Sequence, residues 1–246
     1  MRGIVACEAL YNLVERLAPQ ATVRYIPAEL HEFPVNVPLH AEVGERIQAA
    51  IDDLESIGCD PIIVSYSMDA ATRNALKSTD AKLIISDEAD CVSTVLPDSR
   101  NEYGERKATG TLYLTRGWID CGVDGYKLYR AYGDDLDSLI DRFDAAEDRH
   151  EDLRITWHQG DRFTRSMDTQ PVSDGLLDGF FHEIVQYYDR VALVDTGDLY
   201  EIHHEYATLV QQFVSQMKQS QGDDPETSLT HIDGDLSRFT TLVEAD

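Results

Sequence analysis

The chain has 246 residues, 42% of them apolar, which suits one large α/β domain or two smaller halves with packed cores and excludes a disordered chain. Its formal net charge is -25, with 29 Asp and 17 Glu against 21 basic residues, only 5 of them Lys. Such a surface repels a phosphate backbone, which argues against nucleic-acid binding. No stretch reaches the roughly 18 apolar residues of a membrane span.

In chain order, residues 3–7 form a first strand that feeds a helix over 8–17, with Leu10, Leu13, Val14 and Leu17 at helical spacing. Residues 21–26 are a second strand closed by Pro27, and 31–40, with Pro34 and Pro38, are irregular. A strong amphipathic helix covers 43–57 and stops at Gly58. The third strand is 61–66, a helix covers 70–77, and the fourth strand is 82–86. This βαβαβαβ order predicts parallel strands with crossover helices. After Cys91 a short helix carries 92–96, Pro97 opens a charged turn, and 109–115 is a strand running into Arg116-Gly117-Trp118. A helix over 136–147, a strand over 154–157, a loop over 160–175 and a helix over 176–188 come next. Residues 191–194 are a strand ending in Asp195-Thr196-Gly197-Asp198, and the longest helix runs from 202 to about 218. A polar linker leads to a last strand at 228–232, and Gly234-Asp235 opens a short final helix. The fold class is therefore α/β, with parallel sheets, crossover helices and two Rossmann-like lobes, 1–118 and 119–246; one continuous sheet is the alternative.

Three of the first four strands run from apolar residues directly into polar ones: Ala6-Cys7-Glu8, Val64-Ser65-Tyr66-Ser67, and Ile85-Ser86-Asp87-Glu88-Ala89-Asp90-Cys91. Ligands of open parallel sheets sit at the carboxyl ends of strands. Cys7, Ser65, Tyr66, Ser67, Asp90 and Cys91 are accordingly expected on one rim, with Glu8 next to Cys7 as a further candidate ligand. Cys7, Cys59, Cys91 and Cys121 lack CxxC pairing and read as four thiols. Cys7 and Cys91 are the best pair of metal ligands, for zinc, an iron–sulfur cluster or cobalt, though two thiolates need further ligands. The plainer account is two small buried side chains.

Farther along, Asp195-Thr196-Gly197 has neither the second copy nor the all-β setting of an aspartic protease. As a strand-to-helix turn it offers N–H groups and a hydroxyl to an anion, or merely caps the helix through Thr196 or Asp198. Trp118, after Gly117, can wall a flat tetrapyrrole whose carboxylates pair with Arg116; a core tryptophan is the alternative. Glu201 and His204 stand at i, i+3, as metal ligands on a helix can, with His203 adjacent; an exposed first turn explains them more simply. His31, His40, His158 and His182 are isolated. The sequence holds no Walker loop, GxGxxG, GxSxG or HExxH, which weighs against a nucleotide-driven motor, a serine hydrolase and a zinc protease of the common kinds.

Ala6-Cys7-Glu8, Asp90-Cys91, the turn at 99–103, Gly110-Thr111-Leu112-Tyr113-Leu114-Thr115 with Gly117-Trp118-Ile119, Asp195-Thr196-Gly197 and Gly234-Asp235-Leu236-Ser237 succeed one another along nearly the whole chain. As a set they resemble a family of archaeal and bacterial proteins known as domain of unknown function 1638. Genes of that family often sit beside those of corrinoid-dependent methyltransferases. The resemblance thus implies an accessory role in corrinoid or methyl-group metabolism, with a transition metal or corrinoid as cofactor and a corrinoid protein or methyltransferase as partner. The sequence departs from the family pattern at Met68, in Tyr66-Ser67-Met68-Asp69, where relatives carry a Gly-Leu-Cys-Gly-like turn. Asp87 and Ala89 stand where relatives carry Arg and His. If the family's Cys and His form a metal site, part of it is missing here. The leading expectation is a ligand- or metal-binding accessory protein with Cys7, Cys91 and Asp90 as contacts. The alternative is an enzyme acting on a small polar metabolite, with Cys91 as nucleophile or Asp90 as general base.

The amino-terminal apolar run is too short for a signal peptide, so the expected location is the cytoplasm. The excess of Asp over Glu and the scarcity of Lys point to a cytoplasm of very high salt, where the Debye length falls to about 3 Å and carboxylates stay hydrated without mutual repulsion. A cationic partner or mimicry of nucleic acid is the alternative; the scatter of acids along the whole chain favours salt.

Overall fold

The computed structural model describes residues 1–31, 38–88, 90–98, 107–121, 136–155, 186–222 and 226–245. The fold is α/β, built on two parallel sheets with interleaved helices. By its internal contacts the chain divides into two compact units, Met1–Leu96 with Asp235–Asp246, and Pro97–Gly234. That division falls ahead of residue 118, where the sequence alone placed it. The strand before residue 118 belongs to the second sheet, and the last helix of the chain belongs to the first unit.

The first sheet holds β1 (Gly3–Cys7), β2 (Thr22–Ile26), β3 (Ile62–Ser65) and β4 (Leu83–Ile85) in the order β2-β1-β3-β4, every pair parallel. β1 and β3 are central and fully buried, which is why they read as unbroken apolar runs; the edge strands β2 and β4 are mostly half-buried. The crossovers carry α1 (Tyr11–Leu17), preceded by a 3-10 turn at Glu8–Leu10, then α2 (Pro38–Ser56) and α3 (Ala70–Ala75). On α2, Val43, Ile47, Ile51 and Leu54 form the buried stripe, each worth about 1.5–3 kcal/mol of transfer free energy. Gly58, at φ +82°, ends the turn after that helix, as expected. Two local expectations are corrected. Residues 38–40 are helical, since proline is favoured in the first helical turn. The short helix after Cys91 is a 3-10 turn at Ser93–Val95.

The second sheet holds β5 (Thr111–Thr115), β6 (Arg190–Asp195) and β7 (Ser228–Asp233) in the order β5-β6-β7, again parallel. α4 (Arg116–Cys121) continues from β5 without a break and has no counterpart in the sequence reading, since six residues containing Gly117 show no periodicity. α5 (Leu136–Glu147) packs Phe143 edge-on against Tyr206 of α6 (Glu201–Gln221), with ring centroids 5.8 Å apart. Residues 154 and 155 are not strand, and the remainder of the strand expected at 154–157 lies outside the described residues. So do the loop at 160–175, positions 176–185 of the helix expected after it, the turn at 99–103, and His158, His182 and Ala89. The last helix, α7 (Ser237–Val243), buries Phe239 and Val243 in the first unit. No helix among the described residues is long and apolar enough to cross a membrane.

Candidate functional site

β1, β3 and β4 end side by side, so the residues just beyond each strand collect at one edge of the first sheet. Cys7, Ser65, Tyr66 and Cys91 are buried there, and Ser67 and Asp90 are half-buried. Burial raises the Tyr66 phenol well above its ordinary range. Negative charge on Cys7 or Cys91 acts in the same direction. None of the four cysteines is in a disulfide.

The carboxylates of the rim have structural partners. Glu8 Oε2 accepts the N–H of Ala28 at 3.1 Å, and Asp90 Oδ1 accepts the N–H of Ser93 at 2.8 Å, holding the turn that carries Cys91. That turn is also gripped from the carboxyl end of the chain. The Arg238 guanidinium donates through Nη2 to the carbonyls of Ser93, at 3.1 Å, and Leu96, while its Nε lies 3.2 Å from Glu88 Oε1. The N–H of Asp235 donates to the carbonyl of Val95 at 2.8 Å. Of the positions that depart from the family pattern, Met68 is half-buried and Asp87 is exposed.

The second sheet ends in a different chemistry. Arg116 is 2% exposed, and its guanidinium is filled by the chain itself. Nε donates to Asp120 Oδ2 at 3.3 Å, Nη1 to Asp152 Oδ2 at 3.0 Å and the carbonyl of Asp198 at 3.1 Å, and Nη2 to the carbonyl of Asp152 at 2.5 Å. The expected ligand carboxylates thus have internal counterparts. Asp120 and His203 are fully buried. The Tyr200 N–H donates to His203 Nδ1 at 2.9 Å, so Nδ1 is unprotonated and the proton sits on Nε2, which donates to Asp120 Oδ1 at 3.0 Å. Burial acts to raise the Asp152 carboxyl, but hydrogen bonds from Tyr200 and Arg116, with the Arg116 charge, outweigh it and hold it below the usual carboxylate range. Tyr200 donates to Asp152 Oδ1 at 2.5 Å and stacks on His150 with centroids 3.8 Å apart.

Gly117 is buried and Trp118 half-buried in α4. Asp195, Thr196 and Gly197 form a closed turn: the Gly197 N–H donates to Asp195 Oδ1 at 2.7 Å, and Thr196 Oγ1 donates to Asp198 Oδ1 at 2.6 Å. Gly234 is required beside it, because a Cβ there would stand 2.7 Å from Thr196 Cγ2. α6 starts later than Thr196 or Asp198 could cap, and its N-cap is Tyr200.

A family model described as "Protein of unknown function (DUF1638)" matches residues 25–240. The chain belongs to that family. No curated protein and no solved structure matches it. Within this DUF1638 protein the matched span takes in Ser65, Tyr66, Ser67, Asp90, Cys91 and the whole Arg116 cluster, and begins after Cys7 and Glu8. Asp120, Asp152 and Tyr200 have no place in the sequence reading, and His203, expected in an exposed first turn beside Glu201 and His204, is instead fully buried. The i, i+4 spacing of Arg116 and Asp120 was a usable signal. No local signal links His203 or Asp152 to either residue; the fold alone brings them together.

Proposed function

We propose that this chain is a binding protein of two Rossmann-like lobes that serves corrinoid-dependent methyl transfer, with its ligand held at the carboxyl edge of the first sheet by Cys7, Tyr66 and Cys91. The observation that carries the reading is the burial of two cysteines outside any disulfide and one tyrosine at and just beyond the ends of β1, β3 and β4. Thiolates are soft donors suited to transition-metal centres. No group of three or more His, Cys, Asp or Glu side chains that could hold a metal ion occurs among the described residues, so these donors do not fit a closed zinc or iron–sulfur site. Cys7 and Cys91 would instead hold a ligand that brings most of its own metal donors, as a corrin does, and that would supply the methyl-transfer chemistry. The partner in this reading is a corrinoid protein or methyltransferase. Asp90 serves by shaping the Cys91 turn, since one of its oxygens is committed to Ser93.

The test is metal and chromophore analysis of protein purified in multimolar KCl, then titration with cob(II)alamin against Cys91→Ser and Cys7→Ser. A spectral shift that is lost in either variant is the expected result. A colourless, metal-free protein indifferent to cobalamin, with Cys91 rapidly alkylated at neutral pH, would replace this reading with a nucleophilic enzyme.

A further inference from the structure

His204 and His231 take no part in either strand-end cluster. His204 lies in the first turn of α6 and His231 on β7, the last strand in the order of the second sheet; both are exposed. Their rings stack with centroids 5.1 Å apart and planes 23° from parallel. Among the described residues, no hydrogen bond or ion pair engages their ring nitrogens; the hydrogen bond at His204, from Thr208 Oγ1 at 2.9 Å, ends on its backbone carbonyl. The contrast with adjacent His203, buried with both nitrogens committed, is complete. Along the sequence His204 has Glu201 at i, i+3 and His203 beside it; with His203 committed elsewhere, the fold supplies His231.

We propose that His204 and His231 chelate a divalent transition-metal ion of the imidazole-binding class, Ni(II) or Cu(II), and so clamp the start of α6 to β7. Imidazole nitrogens are good ligands for these ions. Two protein donors leave the rest of the shell to water, which suits the tetragonal geometries of Ni(II) and Cu(II) better than a structural zinc site, whose ligands are all protein. Exposed side-chain torsions let the stacked rings turn toward a shared ion, and a net charge of -25 concentrates cations at the surface.

The experiment is calorimetric titration of the untagged full chain with Ni(II), which does not oxidise thiols, beside His204→Gln, His231→Gln and the double variant Cys7→Ser/Cys91→Ser. Wild type and the thiol variant are expected to take up one equivalent and gain thermal stability with Ni(II). Each histidine variant, with its circular dichroism unchanged, is expected to lose both effects. Absence of uptake by wild type, or uptake unchanged in both histidine variants, overturns the proposal. Uptake lost only with the cysteines overturns it as well, and assigns the ion to the edge of the first sheet.

Discussion

Arg116 shows how much one buried charge demands of its surroundings. It keeps a guanidinium at 2% exposure by drawing in Asp120, Asp152 and two backbone carbonyls. Arg116→Met is expected to cost about 3–5 kcal/mol of unfolding free energy, because Asp120 stays buried without its cation. Urea unfolding at fixed KCl measures this, and a loss below about 1 kcal/mol would show the network to be slack. Glu55 makes a second prediction. Its carboxylate accepts from the Ser78 hydroxyl and from the N–H groups of Thr79, Asp80 and Ala81, which lower it from an ordinary 4.5 to about 2. The unfolded chain therefore takes up this proton first. The stabilisation is full above pH 4.5 and drains away as pH falls toward 2. Glu55→Gln is expected to flatten that part of the acid limb in pH-dependent melting. Asp152 and Asp235, also lowered, keep a residual slope of the same sign.

At the scale of elements, the candidate rim depends on a helix from the far end of the chain. α7 and the residue pair before it hold the turn after β4 through Arg238 and Asp235. Arg238→Ala is expected to loosen that turn and raise the alkylation rate of Cys91 by iodoacetamide, with no change at Cys59, which lies in the turn after α2. Equal rises at both cysteines would point to global destabilisation. Much of the element order was legible beforehand. β1 and β3 are central, buried on both faces, and flanked by polar or turn residues, so their apolar runs stand out. Pro38 misled because proline breaks a helix interior but suits its first turn. α4 escaped because it is short and its buried residues include Arg116 and Asp120, which a hydrophobic pattern does not register.

For the whole molecule, the balance of charge is strongly acidic. Forty-six acidic residues against 21 basic ones repel one another in dilute buffer, and salt screens that repulsion. The melting temperature is expected to rise steeply as KCl goes from about 0.1 M to about 3 M, a range over which the Debye length falls from about 10 Å to below about 3 Å. A flat profile, or one matched by an equal osmolality of sucrose, would remove the case for adaptation to high salt.

Composition and pattern by themselves determined the alternation of strands and helices, the parallel pairing it requires, and the strand ends at which Cys7, Tyr66 and Cys91 gather. Those features come from local periodicity and from the rule that crossovers make parallel neighbours. The tertiary structure alone decided that Arg116 is answered by Asp152 and Asp120 by His203, that His204 faces His231, and that α7 returns to grip the Cys91 turn. Each of these joins residues far apart in the chain through directional hydrogen bonds or ring contacts. Such partners leave no periodic trace in sequence, because their geometry exists only once the sheets have formed.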